Sequence, residues 1–309
     1  MRKPDIFLVG AARCGTTSMY RYLRQHPQIF GPEKKEPCHF ATDLDSGSYQ
    51  DGRYFVRDRD AYLGLFEPAR ADQLPLDGSV WHLYSEVAAG AIHDFNPEVR
   101  ILAMVRNPVD MMESWHARRL LVGAEDIPDF GEALEAEPDR RAGRRIPPAS
   151  FNVKTLQYRA IARFSEQLER YLGAFPRERI RVIVFDDFVR DPLAVYRQTL
   201  EFLGVDAGFT PVLEVGNPSR TVRFRPIRDI VRDPRLHRIA NRVIPQAAWA
   251  RVRPAFRRLH AVNARDEKRP PMDPALRRKL EAEFVPEVER LGALLDRDLL
   301  GLWRYPVGA

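Results

Sequence analysis

Three short stretches of this 309-residue sequence hold side chains suited to binding or moving an anionic group. The first is Gly10-Ala11-Ala12-Arg13-Cys14-Gly15-Thr16-Thr17-Ser18. A loop of small residues running into a helix lets backbone N–H groups converge on one anion, with the positive end of the helix behind them. Its glycines are spaced as in a P-loop, but Thr16 stands where that loop's lysine would reach the β/γ-phosphates. The cation is instead Arg13. The second stretch pairs Arg106 with Ser114, and a guanidinium plus a hydroxyl make a clamp for a phosphate monoester. The third is Lys34-Lys35-Glu36-Pro37-Cys38-His39-Phe40, where Glu36 beside two lysines and a histidine has the setting of a general base.

Each stretch also has a plainer reading: a simple strand–helix turn, an Arg106–Asp110 pair beside a solvent-facing serine, and a surface charge cluster. A fourth stretch competes with them. Val182-Ile183-Val184-Phe185-Asp186-Asp187 has the form of a Walker B strand whose acid would hold Mg²⁺, or of a strand whose acid merely caps the next helix. Without the P-loop lysine the NTPase reading weakens.

The elements that must position these residues follow from hydrophobic pattern. Ile6–Val9, Ile101–Val105 and Val182–Phe185 are continuous apolar runs of the kind buried parallel strands show. Thr16 or Thr17 caps a helix after the first run, and Asn107-Pro108 opens another after the second. A long helix is expected around Leu156–Leu172, and a further one over Leu193–Leu203 that stops at Gly204. Strands alternating with helices imply an α/β fold, a central parallel sheet with helices on its faces. Ligands on such sheets sit at the carboxyl ends of the strands, so the loops Gly10–Ser18 and Arg106–Ser114 are candidates for one shared site. Residues 122–150, rich in charge, Pro and Gly, read as an exposed excursion or lid. Asp273–Arg297 is an amphipathic helix. We expect one domain over 1–309, with an α/β core at 1–215 and a mostly helical part at 216–309.

Composition sets the outer bounds. With 44% hydrophobic and 30% charged residues the chain is an ordinary globular protein. No run approaches a membrane span, and the N-terminus lacks a signal peptide's pattern. Two cysteines make no disulfide framework, and a cytoplasmic location is the expectation. The net charge of +6 suits an anionic ligand. A nucleic-acid binder would need a basic stripe with exposed aromatics, whereas these arginines are scattered along amphipathic helices, so no nucleic-acid partner is expected.

Taken together, the motifs resemble the PAPS-dependent sulfotransferase family, especially its carbohydrate-type and bacterial branches. FLVGAARCGTTSMYRYLRQHP (7–27) looks like the family's 5′-phosphosulfate loop, KKEPCHF (34–40) like the segment with its catalytic glutamate, and VRNPVDMMESW (105–115) like its 3′-phosphate segment. VIVFDDFVRDPLAVYRQTLEFLGV (182–205), NPSR (217–220) and FVPEVERLGALLDRDLLGLW (284–303) are also family-like. The resemblance implies a P-loop-NTPase-like sulfotransferase fold with a helical C-terminal extension. It implies sulfuryl transfer from PAPS to a hydroxyl of a carbohydrate or small-molecule acceptor, with PAP as product and no metal. Cys14, Gly15, Thr16, Thr17 and Ser18 would hold the 5′-phosphosulfate, with Arg13 on the bridging oxygen. Arg106 and Ser114 would hold the 3′-phosphate, with Ser219 and Arg220 closing over the nucleotide. Glu36 would be the base, and His39 the runner-up.

Several departures stand out. Arginine replaces the family's usual lysine at position 13. Met111 and Met112 stand where arginine is common, and Cys38 displaces His39. The acceptor-side motif is reduced to Val80-Trp81-His82-Leu83-Tyr84, leaving His82 and Tyr84 as acceptor contacts, with core packing the plainer role for Tyr84. The alternatives are a P-loop nucleotide kinase or NTPase and a PAP-binding protein with little turnover.

Overall fold

The structure is a computed structural model describing residues 2–47, 54–150, 152–213, 221–222, 264–265 and 271–306. Five strands form one parallel sheet: β1 Ile6–Gly10, β2 Ile29–Phe30, β3 Leu74–Asp77, β4 Arg100–Val105 and β5 Ile180–Val184. Their order is β2-β3-β1-β4-β5. The chain leaves β1 toward β3 on one side and returns to β4 on the other, so the order switches at β1. In an open parallel sheet the crevice at that switch, outside the carboxyl ends of the strands, takes the ligand.

β1 and β4 are apolar because helices cover both faces of the sheet, and every residue of β1 is buried. β3 is barely apolar in sequence. Its Leu-Pro-Leu-Asp run has a proline whose carbonyl accepts from Asp5 N (2.9 Å), and it ends in a buried carboxylate. The register of β1 against β4 shifts between Leu8 and Gly10, where the chain turns into the loop.

The elements depart from the sequence reading in two places. The expected long helix around Leu156–Leu172 is broken into a 3₁₀ turn Val153–Leu156, a short helix Tyr158–Ile161 and the helix Phe164–Ala174. Gln167 explains the break, donating through Nε2 to the carbonyls of Ala160 and Ile161 (3.1 and 3.0 Å) and so satisfying the interrupted turn. The strand expected through Phe185 ends at Val184, and Phe185 opens the helix Phe185–Arg190. The amphipathic helix at the end of the sequence spans Pro274–Leu295 and buries Leu280, Phe284, Val288 and Leu291.

The chain forms two compact units, one of Met1–Met112, Arg159–Gly216 and Arg277–Ala309, the other of Glu113–Tyr158 and Asn217–Leu276. The first holds the sheet. In the second, residues 122–150 are not an exposed excursion throughout: residues 141–145 are exposed, but the stretch has a buried heart. It folds into helices Phe130–Glu135 and Glu137–Arg141 around a fully buried Glu125–Arg140 pair, Nη2 to Oε1 2.6 Å and Nη1 to Oε2 2.7 Å. Tyr158 Oη and the amides of Asp126 and Ile127 also donate to Glu125. A charge-rich sequence conceals this because its two key charges neutralise each other in the interior.

Candidate active site

The loop after β1 is built on its glycines. A Cβ on Gly10 would lie 2.4 Å from Leu83 Cβ, so only glycine lets the segment after β3 close against the strand end. Ala11 N donates to Met104 O, and Leu83 N to Val9 O, both at 2.7 Å, tying the loop to β4 and to the 79–85 segment. Gly15 has φ 89°, a left-handed conformation, and starts the helix Thr16–Leu23 without a capping side chain. That leaves amides of its first turn for an outside acceptor. Thr16 is buried, while Thr17 and Ser18 are half-buried.

Two guanidiniums face this loop. Arg13 lies within it at φ 64°, and Arg106 ends β4 with its Cζ 4.8 Å from the Phe185 ring centroid. Both act on the Cys14 thiol, pulling its pKa down against burial, which is the larger effect and pushes it up to about 12. Cys14 is therefore a quiet packed thiol rather than a reactive one.

Arg106 is not paired with Asp110, as the plainer reading had it. Arg277 takes that carboxylate at 2.6 Å. Asn107 Oδ1 accepts from the amides of Val109 and Asp110 and from Tyr305 Oη (3.1 Å), fixing the start of the helix Pro108–Leu121 beside Arg106. Ser114, two turns along that helix, is buried rather than solvent-facing. Met111 and Met112 are fully buried packing residues.

The acids after β5 are consumed by distant partners. Trp303 Nε1 donates to Asp186 (3.0 Å), Arg297 holds Asp187 through both terminal nitrogens, one at 2.8 Å, and Arg190, three residues on, also donates to Asp187. They secure the C-terminal helices, which is why a Walker B-like string occurs without Walker B chemistry.

In the 34–40 segment, Glu36 is accessible and bonded to Lys35 at 2.7 Å. His39 is held differently. Its Nδ1 lies 2.7 Å from Val56 O, and its ring stacks on Tyr62 at 4.2 Å, with burial lowering its pKa. His82 is fully buried beside Phe7 and Phe40, and burial pushes its pKa down to about 3. Tyr84 and Trp81 are instead half-exposed. His82 therefore packs the core rather than meeting an acceptor, while Tyr84, expected either as an acceptor contact or in the core, is half-exposed. Ser219 and Arg220 lie outside the described residues.

Sequence reasoning missed two contributors. Phe185 is the wall on which Arg106 rests. Arg57 donates to the carbonyls of Cys38, His39 and Ala41 and to Asp45, strapping down the segment after Glu36. No sequence signal marks Arg57, whereas an aromatic directly after a buried strand marks Phe185 weakly.

The model of the sulfotransferase family matches residues 4–211, which include the loop, Arg106 and Glu36. The chain belongs to the PAPS-dependent sulfotransferase family. It is 26% identical over 213 residues to the mouse bifunctional heparan sulfate N-deacetylase/N-sulfotransferase 1, covering 66% of this chain and 22% of the relative. It is 23% identical over 204 residues to the mouse heparan sulfate glucosamine 3-O-sulfotransferase 6, covering 66% of this chain and 53% of the relative. It therefore spans about a fifth to about half the length of these curated relatives. A solved sulfotransferase from Alicyclobacillus acidocaldarius superposes with a TM-score of 0.72 at 31% identity, over 98% of this chain and all of that one. The sheet and loop are accordingly those of a P-loop-like sulfotransferase. Among the described residues, no helix is long and apolar enough to cross a membrane.

Proposed function

We propose that this chain transfers the sulfuryl group of PAPS to a hydroxyl of a carbohydrate or small-molecule acceptor and releases PAP. The observation that carries this reading is the loop after β1, where a left-handed Gly15 starts the helix Thr16–Leu23 without a side-chain cap, with Arg13 inside the loop and Arg106 directly after the neighbouring strand. The site's chemistry fits a donor with anions at both ends of a nucleotide: two guanidiniums, hydroxyls on Thr17 and Ser18, and a glycine that keeps the loop open. PAPS supplies the sulfuryl group and a phosphate leaving group of low basicity.

Cys14, Gly15, Thr16, Thr17 and Ser18 bind the 5′-phosphosulfate through backbone N–H groups and hydroxyls, and Arg13 offsets the charge that develops on its bridging oxygen. Arg106 takes the 3′-phosphate; the assignment of Ser114 to the same phosphate rests on its spacing in the sequence. Glu36, exposed beside Lys35, accepts the acceptor hydroxyl's proton at a carboxylate oxygen. His39, tied to Val56 and stacked on Tyr62, supports the segment rather than moving protons. Ser219 and Arg220 remain candidates to close over the nucleotide, and the two free cysteines, both buried, suit the cytoplasm. The heparan sulfate relatives favour a sugar acceptor, sulfated on nitrogen by the N-sulfotransferases and on oxygen by the 3-O-sulfotransferase, and the hydroxyl follows the latter.

Calorimetric titration with PAP and with ATP, each with and without Mg²⁺, tests this. Metal-independent PAP binding at least about 10-fold tighter than ATP, lost in Arg106→Ala, is expected. ATP binding more tightly with Mg²⁺, or neither nucleotide binding, overturns the reading.

A further inference from the structure

We propose that Lys35 is a positioning residue of the transfer site, holding the Glu36 carboxylate in the orientation in which it accepts the acceptor's proton. This rests on the reading of Glu36 as the base. The two side chains meet at 2.7 Å, but they are not equivalent partners: the lysine side chain is 17% exposed and the glutamate 41%. The lysine is the fixed member. Its stem runs against Gly78, where a Cβ would come within 3.1 Å of Lys35 Cγ. Its Nζ lies 5.8 Å from the centroid of Tyr20, on the helix that begins at Thr16. Its charge acts on Asp77, the buried carboxylate at the end of β3. Asp77 is itself held by Tyr62 Oη (2.7 Å) and Ser79 N (2.8 Å).

The backbone beyond Glu36 is anchored independently of Lys35. Val56 N donates to Pro37 O (2.8 Å), Cys38 N donates to Ser79 Oγ (2.9 Å), and Arg57 grips the carbonyls of Cys38 and His39. With the main chain fixed, the torsions of the Glu36 side chain are what is left to order, and the contact with Lys35 orders them. A half-exposed ion pair between sequence neighbours adds little to folding stability. Burying a lysine stem against a glycine, an aromatic face and a strand end is therefore better explained by what the ammonium does for Glu36.

The test uses the full chain and follows PAP release from PAPS, with heparosan oligosaccharide, 4-nitrophenol or water as acceptor. Lys35→Met, Lys35→Arg and Glu36→Gln are compared, together with PAP affinity by calorimetry. Lys35→Met, which keeps the apolar stem, is expected to lose roughly 10- to 100-fold in kcat, up to the cost of misplacing a catalytic group by about 1 Å. The KM for PAPS and the PAP affinity should stay at wild-type values, and Lys35→Arg should recover most of the rate. A wild-type rate in Lys35→Met alongside an inactive Glu36→Gln overturns the role of Lys35 and leaves Glu36 standing as base. Loss of PAP binding in Lys35→Met also overturns it, because Lys35 would then serve the donor site or the fold. A fully active Glu36→Gln, or a wild-type chain that releases no PAP with any acceptor, overturns the base assignment and this inference with it.

Discussion

Phe185 stands between Gly15 and Arg106: the Arg106 guanidinium lies 4.8 Å from its ring centroid, and a Cβ on Gly15 would come 3.0 Å from its Cδ2. One aromatic ring thus spaces the loop proposed for the 5′-phosphosulfate from the arginine proposed for the 3′-phosphate. Phe185→Leu keeps the bulk but removes the π face, forfeiting a cation–π contact of about 0.5–1 kcal/mol. PAP affinity measured by calorimetry should fall roughly two- to five-fold.

Gly15→Ala meets two obstacles. The backbone there is left-handed at φ 89°, and the added methyl presses on Phe185 and on Met104 Cε. A strained residue of this kind costs about 1–3 kcal/mol. PAP binding should weaken by at least about 10-fold, while far-UV circular dichroism shows the fold retained.

Arg13 is a working replacement for lysine if charge rather than proton donation is what the leaving phosphate needs, since a guanidinium does not give up a proton near neutral pH. Steady-state rates should show Arg13→Lys equal to or slower than wild type, and Arg13→Ala slower by roughly 100-fold, the scale for deleting one charge-stabilising donor. A large gain in Arg13→Lys would instead mark the natural chain as a PAP binder with impaired turnover.

Asp77 gives the protein a pH dependence that can be assigned. Burial, opposed by hydrogen bonds from Ser79 and Tyr62, raises its pKa from 3.8 to about 6. Because the folded state holds this proton more tightly than the unfolded chain, the group's stabilising contribution is full below its unfolded pKa. It is lost as pH rises toward 6, a loss of about 3 kcal/mol. Urea melts across that window should show Asp77→Asn lacking this part of the slope, with its advantage over wild type growing as pH rises.

Breaking the Glu125–Arg140 pair leaves a charge stranded in the interior. Arg140→Met should destabilise the unit of Glu113–Tyr158 by about 3–5 kcal/mol. The loss should be read as early hydrogen exchange at the amides of Asp126 and Ile127, whose acceptor is the Glu125 carboxylate.

What was legible in the sequence was whatever one short segment could hold by itself. The Ile6–Gly10 strand, the glycines after it and the Asn107-Pro108 helix start announce themselves through apolar runs and residues with few conformational options. β3 did not, because four residues containing Pro75 and ending in Asp77 look like a turn; it is a strand only because β1 and β2 flank it. The meaning of Asp186 and Asp187 was equally hidden. Their partners Trp303 and Arg297 lie more than a hundred residues away, and no local pattern records that. His82 misled for a related reason: a histidine in a degraded motif invites a functional reading, while Phe7 and Phe40 make it core.

The tips of β4 and β5 have an order of completion. Asp110, Asp187, Asp186 and Asn107 find their partners in Arg277, Arg297, Trp303 and Tyr305. During synthesis the loop, Arg106 and Phe185 have all left the ribosome long before those four residues emerge. The nascent chain therefore carries the residues proposed to bind the donor, from Arg13 to Arg106, while the scaffold around them is still unfastened. Donor affinity should appear late, only once Arg277, Arg297, Trp303 and Tyr305 have cleared the exit tunnel.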